Sequence, residues 1–97
     1  MTQNDLNIYV RILPEIAKVI GNENEENMIL DKYGITRVRL NYLRGKIMYC
    51  NDNFENNEEM LSSILPELRP SSDEFALVRG NRAAIDEANR RYSQLRQ

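Results

Sequence analysis

The sequence has no histidine, no tryptophan and a single cysteine, Cys50, in 97 residues. Each absence removes a class of chemistry. One thiol cannot close a disulfide within the chain. That fits a reducing compartment, so a cytoplasmic protein is expected. Without imidazole, and with one thiolate, a structural zinc site is excluded and histidine-based triads cannot form. The four glycines form no phosphate-cradling loop, and the acids show no metal-ligand spacing. The chain therefore reads as non-enzymatic, with no cofactor, metal or small-molecule ligand expected. Apolar runs are only a few residues long, too short to span a bilayer. Met1-Thr2-Gln3-Asn4-Asp5 lacks the basic start and apolar stretch of a secretory signal.

What is present suits one small domain covering residues 1–97. Hydrophobic residues make up 41% and charged residues 29%, both ordinary for a globular fold. A chain this short buries only about 60–65% of its unfolded surface, so its core must be thin. The net charge of −2 hides strong segregation. Residues 1–35 carry −3, and residues 36–50 carry +4 from Arg37, Arg39, Arg44 and Lys46 with no acid. Residues 51–75 carry −6, and residues 76–97 carry +3. Blocks of one sign decide where a charged partner docks.

Hydrophobic spacing predicts a mainly α fold: a small single-domain bundle of four or five helices. Thr2 to Ile20 places Leu6, Tyr9, Val10, Leu13, Ile16, Ala17 and Ile20 on one stripe, with Thr2 and Asp5 as a short capping box. Pro14 falls inside it and predicts a kink or a split. The rival reading is a strand over Leu6–Ile12 followed by a helix starting at Pro14. Gly21 to Asn27 reads as a stop and loop, and Glu26 to Tyr33 as a second helix broken by Gly34.

Residues 36–50 admit two readings. As a helix, Thr36 caps it, Leu40, Leu43 and Ile47 line one side, and Gly45 ends it. As a β-hairpin, Val38, Leu40 and Tyr42 alternate with Arg37, Arg39 and Asn41, and Lys46–Cys50 returns, giving an α+β fold. Asn51 to Asn57 reads as a polar loop, and Glu58 to Leu65 as a short helix capped by Asn56 or Asn57 and ended by Pro66. Ser71 with Glu74 marks the clearest helix start. From there a helix over 72–95 carries an apolar seam of Phe75, Val78, Ile85, Ala88, Tyr92 and Leu95, with Gly80-Asn81 as a potential interruption. Uninterrupted, it would be roughly 35 Å long at ~1.5 Å per residue, more than so small a globule requires. Phe75, Val78, Ile85, Tyr92 and Leu95 are therefore candidates for oligomerisation or partner docking.

Residues 26–45 resemble the helix-turn-helix of phage-repressor-like DNA-binding regulators. Gly34 stands as the turn glycine, Ile35 as the apolar residue after it and Thr36 as the capping hydroxyl. Leu40 and Leu43 match the buried pair of the second helix, and Ile29 and Tyr33 the inner face of the first. Leu30 stands where that family carries a small residue, and Gly45 comes one residue early. The resemblance implies that Thr36, Arg37, Val38 and Asn41 face base edges while Arg39, Arg44 and Lys46 lie near phosphates. On this reading the protein is a dimeric transcription regulator binding double-stranded DNA.

The competing reading is a protein–protein interaction module: an adaptor, an inhibitor, or an assembly subunit such as one in a phage particle. It would act through its segregated acidic and basic surfaces, with Asp52 to Glu59 imitating a nucleic-acid backbone. Both readings place a macromolecule, and neither a membrane, opposite this chain.

Overall fold

The first helix shows why the chain needs its partners. α1 (Gln3–Lys18) opens on a complete capping box, Thr2 Oγ1 accepting from Asp5 N–H while the Asp5 carboxylate accepts from Thr2 N–H. Its stripe of Leu6, Tyr9, Ile12, Leu13, Ile16 and Ala17 is buried. Pro14 lies inside it without splitting it, so of the kink or split expected the split does not occur, and the rival strand over Leu6–Ile12 is overturned. The ring sits on the buried side, where its apolar surface offsets the lost N–H.

The computed structural model describes residues 1–51 and 57–96, which form six α-helices and a 3₁₀ turn. After α1 come α2 (Glu23–Lys32), α3 (Arg37–Asn51), α4 (Glu58–Ser63), a 3₁₀ turn at Pro66–Leu68, α5 (Ser72–Gly80) and α6 (Arg82–Arg96). The mainly α reading holds, and no strand occurs among the described residues. Of the loop expected at Asn51 to Asn57, residues 52–56 lie outside the described residues. Asn57 caps α4 through Met60 N–H.

The hairpin reading of 36–50 is corrected by what each conformation would bury. In α3, Leu40, Leu43, Ile47 and Cys50 fall on one stripe and all are buried. A strand would have turned Val38 to the same side as Leu40, yet Val38 is 80% exposed. The helix also continues through Gly45 to Asn51 instead of ending there.

The long helix expected over 72–95 is two helices. Asn81 leaves helical geometry at φ −115°, its backbone N–H bonding to the Val78 carbonyl and its side-chain amide to the Leu77 carbonyl, and separates α5 from α6. Asn81 also exchanges side-chain bonds with Gln3 at 2.8 and 2.9 Å. Six residues on from Gln3 and eight on from Asn81, the Tyr9 hydroxyl donates to Asn89 Oδ1 at 2.9 Å. These contacts advance in the same direction along both chains, so α1 and α6 lie parallel and form the main pair of the fold. α3 crosses against α1 and α5, and its buried stripe joins Phe75, Val78, Ile85 and Ala88 in a single core.

Two glycines should respond oppositely to alanine. Gly34 has φ +65° with nothing near its missing Cβ, so Gly34→Ala meets only backbone strain, about 1–2 kcal/mol. Gly45 is helical, and a Cβ there would stand 3.8 Å from Leu68 Cδ2 in ordinary contact. Gly45→Ala should therefore stabilise by up to ~1 kcal/mol. Urea unfolding of both variants checks the opposite signs.

Candidate functional site

The two-helix unit of α2 and α3 has the local chemistry that the resemblance requires. α2 ends in a Schellman turn: Ile35 N–H bonds to the Leu30 carbonyl and Gly34 N–H to the Asp31 carbonyl, both at 3.1 Å. Gly34 supplies the left-handed residue this turn needs. Thr36 Oγ1 then accepts from Arg39 N–H at 3.1 Å, capping α3. Leu40 and Leu43 seat the helix on the core, and Leu30, which stands where the resembled family carries a small residue, is buried in that core too. Thr36, Arg37, Val38, Arg39, Asn41 and Arg44 are all exposed. Together with Met48, which is 55% exposed, they form the outward and flanking surface of α3.

Charge is where this unit departs from a phosphate-gripping one. Arg37 reaches Glu26 at 3.6 Å and Asn27 at 3.4 Å, both on α2. Arg39 reaches Asp5 of α1 at 3.4 Å and lies over the Tyr42 ring. Pairs this exposed contribute only about 0.2–1 kcal/mol, so a phosphate could still compete for either arginine. Local balance matters more: residues 23–51 hold five cations against the carboxylates of Glu23, Glu25, Glu26 and Asp31. Three of those acids lie in the first turn of α2, the end that would cross a DNA backbone.

Lys46 needs a correction. The resemblance placed it near phosphates, but it is 7% exposed and turned inward. Its Nζ bonds both oxygens of Glu74 at 2.9 and 2.8 Å and sits over the Tyr42 ring. The wheel explains this: Lys46 is three residues after Leu43, so seating Leu43 also turns Lys46 towards α5. Glu74 additionally accepts from Ser71 N–H, completing the α5 capping box. Burial alone would push the Glu74 carboxyl up. The Lys46 and Ser71 hydrogen bonds and the Lys46 charge outweigh it and hold the carboxyl at about 2.

The expected docking seam is also corrected. Phe75, Val78 and Ile85 are buried in the chain's own core, so they are not offered to a partner. Tyr92 is half-buried, and Leu95 remains 39% exposed. Sequence reasoning missed a groove beside this seam. It measures about 400 Å³ and lies between Tyr9 of α1, Arg44, Ile47 and Met48 of α3, and Asn89 and Tyr92 of α6. The Arg44 guanidinium lies 4.9 Å from the Tyr92 ring centre and has no carboxylate partner among the described residues. The signal for the groove was faint: Asn89 and Tyr92 follow the buried Ala88 on α6, but only the parallel packing of α1 brings Tyr9 to them. Among the described residues no group of three or more side chains suited to a metal occurs and no helix is long and apolar enough to cross a membrane.

Removing one partner of the buried pair should be costly. Lys46→Met leaves Glu74 with only the Met1 N-terminal ammonium, 3.4 Å away, and should destabilise by about 3 kcal/mol, whereas Lys46→Met with Glu74→Met, which leaves that ammonium unpaired, should recover only part of the loss. Chemical denaturation of the single and double variants tests this, and equal losses in both would contradict it. Because the folded Glu74 value is depressed from 4.5 to about 2, its contribution is complete above 4.5 and disappears as pH falls through 2. Glu74→Gln should therefore flatten the acid limb of the stability curve between those values.

Compared with models of protein families, with curated proteins and with solved structures, this chain matches none.

Proposed function

We propose that this domain is a non-enzymatic protein-binding module whose contact face is the outward side of α3. The supporting observation is the make-up of that face. Val38 and Met48 stand exposed along it, Met28 of α2 is 70% exposed, and Lys46 is withdrawn into an internal ion pair. A surface for DNA needs an excess of cations to release counterions. This one offers large apolar side chains flanked by Arg37 and Arg44, a composition closer to protein interfaces, where methionine and arginine are enriched. Arginine flanks favour a partner carrying acidic groups around an apolar centre.

A second reading, a DNA-binding regulator, is supported by one specific observation: the Gly34 turn, the Thr36 cap and the buried Leu40–Leu43 pair have the local features that the resemblance calls for at those positions. Arg37, Asn41 and Arg44 would then be the base- and phosphate-facing residues.

A photo-crosslinking residue at position 38 separates the two. In the cells of origin, the protein-binding reading expects one discrete protein adduct from position 38 and none from position 73 on the α5 side. Nucleic-acid adducts from position 38 would overturn it. In parallel, anisotropy of a labelled duplex in about 50 mM salt should show no binding tighter than the non-specific range of roughly 10⁻⁴ M. Tighter binding that collapses with added salt would support the DNA reading instead.

A further inference from the structure

We propose that the groove between α1, α3 and α6 is a binding site for a small carboxylic acid with a flat, apolar body. The site shares Arg44 and Met48 with the edge of the outward face of α3, but its argument does not depend on which macromolecule that face meets. Its volume of about 400 Å³ falls in the range of small-molecule pockets, ~300–1,000 Å³. The apolar half is supplied by Ile47, which belongs to the core, and by Met48 and the Tyr92 ring. A methionine and a tyrosine face suit an aromatic ring.

The polar half is biased towards donors. Arg44 is the α3 arginine without a carboxylate partner among the described residues, and its guanidinium is parked on Tyr92 instead. A guanidinium offers a paired N–H fork that matches a carboxylate. Asn89 has a fixed orientation because its Oδ1 accepts from the Tyr9 hydroxyl at 2.9 Å. Burial pushes the Tyr9 phenol up to about 12, against the pull of Arg44, so it stays protonated and continues to donate. The Asn89 amide nitrogen, which makes no hydrogen bond among the described residues, is thereby left for an occupant. Ser93 adds a hydroxyl on the same wall. A carboxylate, which only accepts, satisfies this set, whereas an ammonium ligand would face Arg44 with like charge.

The experiment uses the full chain labelled with ¹⁵N and two isosteric probes, 4-phenylbutanoate and its neutral amide. The acid should shift the backbone amides of residues 44–48 and 89–93 and the Asn89 side-chain amide, with a dissociation constant on the order of 1 mM or tighter. The amide should bind at least tenfold more weakly. Arg44→Met should abolish that preference without changing the dispersed spectrum of the folded protein. Asn89→Asp, which keeps the acceptor for Tyr9 but replaces the donor nitrogen with a charged oxygen, should remove acid binding.

Equal binding of acid and amide, unchanged selectivity in Arg44→Met, or shifts confined to other surfaces would each overturn the proposal. So would an acetyl-Phe-Glu peptide amide that binds the same groove tenfold better than the free acid, because the site would then belong to a protein partner.

Discussion

Burial of a narrow apolar seam, with Leu6, Ile12 and Leu13 of α1, Leu43 and Ile47 of α3, and Val78 and Ile85 of α5 and α6, is the constraint behind everything else in this molecule. These are its largest fully enclosed side chains. Among the described residues no helix exceeds 16 residues, and helices of that length are marginal in water on their own. Each side chain's position around its helix is therefore dictated by the need to place those few residues inside. Lys46 shows how strict this is. It is drawn inward because Leu43 must be, and Glu74 is there to meet it.

That constraint also shapes the surface. Once Leu40 and Leu43 are seated, Val38, Asn41 and Met48 have to point outward, and Arg44 has to lean towards α6. The basic run of 36–50 is consequently divided four ways. Arg37 answers α2, Arg39 answers α1, Lys46 answers α5, and Arg44 rests on an aromatic ring. A run that looks like a single cationic patch in one dimension becomes a set of links between helices in three. This division, more than net charge, moves the functional reading from nucleic acid towards protein.

Features governed by neighbouring residues were legible in the sequence. Thr2 with Asp5, Ser71 with Glu74, Gly34 and Thr36 all act over three or four positions, and all occur as read. Features governed by distant partners were not. Residues 36–50 fit both periodicities, and only the burial of Leu43 and Ile47 against other helices decides between them. The seam of Phe75, Val78 and Ile85 is visible in the sequence, but its neighbours are not: α5 packs on α3 and α6 on α1, where the spacing alone suggests another molecule. The candidate site divides in the same way. The exposed residues of α3 could be named, whereas the ion pair of Lys46 spans 28 positions and the Tyr9–Asn89 bond spans 80. Nothing local announces either one.

The parallel pairing of α1 and α6 carries a kinetic consequence. Most small helical bundles join neighbours in sequence, so their loops close cheaply and they fold fast. Here the dominant helix pair must be brought together across nearly the full chain, with contacts such as Gln3–Asn81 at a separation of 78. Closing so large a loop carries a larger entropic cost before any reward arrives. During synthesis, α1 emerges long before the helix that covers Leu6, Tyr9 and Leu13. Its apolar flank cannot gain its main packing partner until residues 82–96 have also been made, so this pairing forms late relative to local helix formation.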